Sequence, residues 1–88
     1  MDDGARARGS TSETLVSDLD MAAFLLCEGA ALLRIAPTPD PARRDFVLSA
    51  PEVILERGVR LFMSGRARVE PRRFAQARRV LQRALRAG

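Results

Sequence analysis

The chain has 88 residues, 15 basic against 11 acidic, no histidine and a single cysteine. That length holds one small domain. One cysteine excludes an internal disulfide, and a chain without histidine lacks both the commonest metal ligand and the commonest general base. A domain this small buries only about 60% of its unfolded surface, so its stability must come from tight packing or from a second chain, which favours a homodimer.

Residues 1–12, MDDGARARGSTS, are small and polar with no apolar period. They predict a disordered tail ahead of a single domain over 13–88. The stretch TLVSDLDMAAFLLCEG predicts a short extended segment and then a helix, with ETLV a candidate N-terminal strand. Ser17 is the expected N-cap, with Asp20 completing a capping box. Asp18 and Asp20 complement the positive helix end, and Gly29 is a natural left-handed stop. A helical projection sets Leu19, Ala22, Ala23 and Leu26 toward the core. Met21 and Phe24 fall nearer the side of Asp20 and Glu28, where an aromatic ring needs cover. Either the hairpin or the N-terminal arm lies over it, or Met21 and Phe24 are a self-association surface. Cys27 ends the apolar run MAAFLLC and reads as a reduced thiol packing as a small hydrophobe. That run is too short to span a bilayer, and acids stand where a signal peptide carries basic residues. A cytoplasmic chain with no membrane contact is expected.

ALLRIAPTPDPARRDFVLSA predicts a β-hairpin whose loop holds three prolines that cannot donate to a ladder. Alternation sets Leu33 and Ile35 on one face, opposite Phe46 and Leu48. The loop is longer than a two-residue turn, so the register stays open. SAPEVILERGVRLFMSG predicts a second helix, with Ser49 and Glu52 as a capping box and Pro51 in the first turn. Its core stripe is Ile54, Leu55, Gly58, Leu61 and Phe62. A mid-helix glycine costs about 1 kcal/mol against alanine, so Gly58 predicts close approach of another backbone. Gly65 ends the helix, and RARVE is a link or an extra strand. A third helix is expected from Pro71 to about Ala87, with Glu70 and Pro71 at its start. Phe74, Ala77, Leu81, Ala84 and Leu85 face inward. Arg72, Arg79, Arg83 and Arg86 face out with Gln76, and Arg73 and Arg78 lie at the borders, where their stems cover apolar neighbours. The fold class is α+β in the order α-β-β-α-α, an antiparallel hairpin, with or without a third short strand, against three helices.

Charge is unevenly placed. Residues 1–56 hold five arginines and ten acids, whereas residues 57–88 hold ten arginines and one acid, Glu70. This asymmetry fits an anionic partner, and equally an attraction between two halves of one fold. Every basic residue is arginine, a pattern that GC-rich coding produces as readily as a need for guanidinium–phosphate contacts. Arg72, Arg79, Arg83 and Arg86 span about 21 Å at ~1.5 Å per residue. With Arg66 and Arg68 just upstream, they are a candidate contact for the phosphate backbone of DNA or RNA. Groove reading would combine arginine with Asn or Gln, and single-strand binding would recruit aromatic platforms. Only Gln76 and Gln82 accompany the arginines, and the chain has no Trp or Tyr, so weak sequence preference is expected. An acidic protein partner, or a merely solubilising face on a small adaptor that self-associates, remains an alternative. Glu28, Asp45, Glu52 and Glu56 are carboxylates without a base partner, and SGRA lacks the spacing of a phosphate loop. A non-catalytic binding module without metal or small-molecule cofactor is therefore expected.

Three stretches together resemble a small uncharacterised bacterial and phage domain family, a domain of unknown function: SDLDMAAFLLCEGAALLRI, RRDFVLSAPEV and FMSGRARVEPRRFAQARRVLQRAL. Its pattern is a Ser/Thr-Asp-x-x-x-Ala-Ala-φ-Leu-x-x-x-Gly helix, a strand pair, and Val-Asp-Pro-x-x-Phe leading into a basic helix. Here these fall on Ser17–Gly29, Phe46–Leu48 and Val69–Leu81. Glu70 stands where Asp is usual, and Leu48 where an aromatic is common. The resemblance implies a shared architecture, assigns no activity, and its phage contexts lean toward nucleic acid.

Overall fold

The computed structural model describes residues 11–87; the expected tail over 1–10 lies outside the described residues. Six elements follow in the order β-α-β-β-α-α: β1 (Thr11–Val16), α1 (Leu19–Cys27), β2 (Ala31–Pro37), β3 (Arg44–Pro51), α2 (Glu52–Met63) and α3 (Pro71–Ala87). The class is α+β, as the sequence predicts. The extra N-terminal strand is present and longer than ETLV, so Thr11 and Ser12 belong to the sheet and not to a tail. Arg66–Glu70 forms no strand.

The sheet is antiparallel with β3 in the centre, in the order β1-β3-β2. β1 pairs in an unbroken register from Thr11 opposite Pro51 to Val16 opposite Phe46. β2 pairs from Ala31 opposite Ser49 to Pro37 opposite Arg44, with a bulge between Leu32 and Arg34. The bulge corrects the expected hairpin faces. Ile35 does meet Phe46, but Leu32 rather than Leu33 meets Leu48, and Leu33 is left largely exposed. An extra residue flips the alternation of everything beyond it. Thr38 and Asp40 close the hairpin loop: the Asp40 carboxylate accepts from the Ala42 N–H at 3.0 Å, and the Thr38 hydroxyl donates to the Asp40 carbonyl at 2.8 Å.

Val16, Phe46, Leu48 and Ala50 line the inner face of the sheet and join one core with Ala22, Ala23 and Leu25 of α1, Leu55 of α2, and Ala77 and Leu81 of α3. Val47, Leu15, Glu13 and Arg34 lie on the other face, where Glu13 and Arg34 pair at 3.7 Å across the central strand. α1 packs against α3, α2 and β1, so it is the central helix. A helix covered on several sides must be apolar around most of its circumference. Accordingly Ala22, Ala23, Phe24 and Leu25 are all buried, four consecutive residues spanning every side but one.

Two helix starts differ from the expected caps. The N-cap of α1 is Asp18, not Ser17, and its carboxylate accepts from the Met21 N–H at 2.9 Å. Ser49 is part of β3, and Pro51 occupies the N-cap of α2 without a side-chain bond. Both α1 and α2 end in Schellman motifs. Ala30 N–H reaches Leu25 O and Gly29 N–H reaches Leu26 O; Arg66 N–H reaches Leu61 O and Gly65 N–H reaches Phe62 O. Gly29 and Gly65 take positive φ of 116° and 77° there.

Gly58 answers a different need. A Cβ on it would lie 2.4 Å from Leu25 Cδ2 and 3.9 Å from Phe24 Cε2. The close approach is thus by side chains of α1, not by another backbone. It lets α2 settle onto α1, where the rings of Phe24 and Phe62 pack at a tilt of 34° with centroids 6.3 Å apart.

Candidate nucleic-acid interface

α3 begins at Pro71, whose missing N–H is harmless at the first helical position. Glu70 stands at the N-cap: its carboxylate accepts from the N–H groups of Arg72 at 3.1 Å and Arg73 at 3.0 Å. The only acid of the last third of the chain is therefore engaged with the helix backbone. The inward stripe of α3 is anchored by Ala77 and Leu81, with Phe74 and Leu85 packed partly against the core. Its partners are α1 and β2.

The two border arginines lock α3 onto α1. Arg73 Nη2 donates to the Cys27 carbonyl at 3.1 Å, placing a cation on the negative C-terminal end of α1. Arg78 Nε lies 3.0 Å from Asp20 Oδ1 in the first turn of α1. That nitrogen is enclosed and has no aligned hydrogen bond, so the contact is a charge pair. Cys27 is half-buried beside Arg73. Burial pushes its thiol above the ordinary value, Arg73 pulls it back down, and Glu28 adds to the rise.

Arg72, Arg79, Arg83 and Arg86 are all exposed, as are Arg66 and Arg68 on the link into α3. Among the described residues, no carboxylate forms an ion pair with any of the six; the pairs present are Arg34–Glu13 and Arg78–Asp20. Arg79 Nη2 donates to Gln76 Oε1 at 2.9 Å, which orders one guanidinium on the outer face; its other N–H groups have no hydrogen-bond partner among the described residues. The division of labour within α3 is thus clear. Arg73 and Arg78 hold the helix to the domain, and the other four line its outer side.

The expected self-association surface at Met21 and Phe24 is not available as such. Phe24 is only 2% exposed, covered by Phe62 of α2, and Met21 is half-buried against the core. Cover by α2 is not among the expected alternatives. The signal lay in MAAFLLC itself, apolar on all sides and so fit for a central helix rather than a one-sided one.

Among the described residues no three His, Cys, Asp or Glu side chains come together to hold a metal ion. No described helix is long and apolar enough to cross a membrane. No protein-family model, curated protein or solved structure matches the chain.

Proposed function

We propose that this chain is a non-catalytic binding module that grips the phosphate backbone of nucleic acid through the outer face of α3. The single observation that supports it is the row Arg72, Arg79, Arg83 and Arg86: exposed, unpaired with any carboxylate among the described residues, and fixed in place by a helix whose inner side is tied to the core. Rows of guanidinium groups bind phosphates through charge-assisted hydrogen bonds and the release of condensed counterions. Arg66 and Arg68 extend the positive surface at the N-terminal end of the helix.

Gln76 is the one amide among these arginines on the outer face, and its oxygen is held by Arg79. Groove reading is therefore poorly provided for, and the proposed mode is backbone contact with weak sequence preference. The test is fluorescence anisotropy with labelled single- and double-stranded DNA and RNA, comparing the wild type with the Arg79→Glu/Arg83→Glu double variant. Both positions are exposed and outside the core, so the variant should keep the wild-type circular dichroism spectrum. Binding by the wild type and none by the variant supports the reading. No binding by the wild type at low salt makes the arginines a solvated face and ends it.

A further inference from the structure

The two edges of the sheet are unlike. β2 carries the bulge at Leu33, ends in Pro37 and has α3 packed against it. Bulges, prolines and covering helices are the usual ways in which an edge resists pairing. β1 has neither bulge nor proline, and it too is packed by helices, α2 and α1. It runs straight through six consecutive register pairs, TSETLV, with no proline and no basic residue. Among the described residues no strand occupies its second side.

Beside that edge runs a groove of about 580 Å³, lined by Thr14 of β1 and by Leu55, Glu56, Val59 and Arg60 of α2. α2 is exposed on its outer side, and four of the exposed residues there are self-complementary about its middle. Val53, Glu56, Arg60 and Met63 fall within one narrow stripe at helical spacing, and they are symmetric about position 58: apolar, acid, base, apolar. Val53 and Met63 are 67% and 71% exposed, the two most exposed large hydrophobic residues of the described chain.

We propose that β1 and α2 form the two-fold interface of a homodimer, in which α2 crosses its copy antiparallel and the two β1 edges lie side by side. A two-fold contact needs a surface complementary to itself, and this stripe meets that condition. With the axis at Gly58, Glu56 faces Arg60 of the partner subunit and Val53 faces Met63 of the partner subunit, each twice. The strand agrees with the same arrangement. An axis at Glu13 would oppose two carboxylates, but one at Thr14, the strand residue lining the groove, sets Thr14 against its copy and Glu13 against Leu15 of the partner subunit. The sheet then becomes six-stranded, and the largely exposed Leu15 gains a neighbour. The assignment does not depend on the polyanion reading, since α3 takes no part in it.

The test is molar mass by light scattering and sedimentation equilibrium over about a hundredfold range of concentration, since self-association is read by mass action. The wild type is expected at twice the 9.7 kDa of one chain. Glu56→Arg places like charges across the axis and should weaken association by about tenfold or more. Both residues are exposed and off the core, so circular dichroism should be unchanged. Adding Arg60→Glu to Glu56→Arg reverses both charges and should restore the dimer, which a purely structural role for either residue would not produce. A wild type that stays monomeric throughout overturns the proposal, even if a strand from another protein fills the β1 edge. A dimer indifferent to Glu56→Arg overturns it equally, because the interface then lies elsewhere.

Discussion

Gly58→Ala tests how α2 is seated on α1. By helix propensity alone the change should stabilise the chain by about 1 kcal/mol. Position 58 has an ordinary helical backbone, so no relief of conformational strain is involved. Against this, the new methyl would come within 2.4 Å of Leu25 Cδ2. Leu25 is fully buried among Val16, Ala22 and Leu48 and cannot swing away into solvent. Forcing a methyl into a packed site costs about 1–3 kcal/mol. The repulsion therefore outweighs or cancels the propensity gain, and Gly58→Ala should destabilise by about 0–2 kcal/mol. The decisive control is the same substitution in a Leu25→Ala background. Leu25→Ala alone should cost about 2–5 kcal/mol. With Cδ2 gone, Gly58→Ala should become stabilising, a coupling of about 1–3 kcal/mol between the two positions. Urea unfolding followed by far-ultraviolet circular dichroism reads all four proteins at one concentration. A gain of the full 1 kcal/mol for Gly58→Ala in the wild-type background, or no change of sign between backgrounds, would refute the contact.

Gly65 presents the opposite case: it has positive φ and nothing within 4 Å of an added Cβ. Gly65→Ala should destabilise by about 1–2 kcal/mol through backbone strain alone, and no second-site truncation should rescue it in urea unfolding. Asp18→Ala removes the only side-chain cap of α1 and should cost about 1 kcal/mol, whereas Ser17→Ala should be nearly silent; equal losses would contradict the cap. The Cys27 thiol titrates above its ordinary range because it is desolvated. It should alkylate with iodoacetamide more slowly at pH 8 than a free cysteine, since the thiolate is the nucleophile. The unfolded chain gives up this proton first, so the contribution of Cys27 to stability is intact below the ordinary thiol range and is lost as pH rises toward the raised value. A Cys27→Ala variant should lack that part of the alkaline decline.

Where periodicity alone decides the structure, the sequence was readable. The alternation across Phe46 and Leu48, the stripe of α2 through Leu55 and Gly58, and the two-sided pattern of α3 all lie where spacing put them. The stops at Gly29 and Gly65 were legible because only a left-handed residue completes that motif. Three features were not. The bulge at Leu33 has no glycine or proline to announce it. The N-cap moved from Ser17 to Asp18 because neighbouring residues with similar capping chemistry compete, and the strand holds on through Val16. Whether Phe24 is covered or lies on a self-association surface stayed open in the sequence, because the central position of α1 is a tertiary fact. For the candidate interface, the spacing of Arg72, Arg79, Arg83 and Arg86 was visible at once. That Arg73 and Arg78 instead reach the Cys27 carbonyl and Asp20 could be found only once α1 and α3 were set side by side.

The proposed phosphate grip is tested most directly by the salt dependence of duplex DNA binding. Anisotropy titrations from about 50 to 200 mM salt give the slope of log K against log salt, which counts the phosphates neutralised. Four arginines on α3 predict a slope of about −3.6, at ~0.9 per phosphate, and more if Arg66 and Arg68 also engage. Arg79→Glu/Arg83→Glu should abolish binding while leaving the circular dichroism spectrum unchanged. A slope near zero, or a double variant that binds as the wild type does, would contradict a phosphate grip on α3.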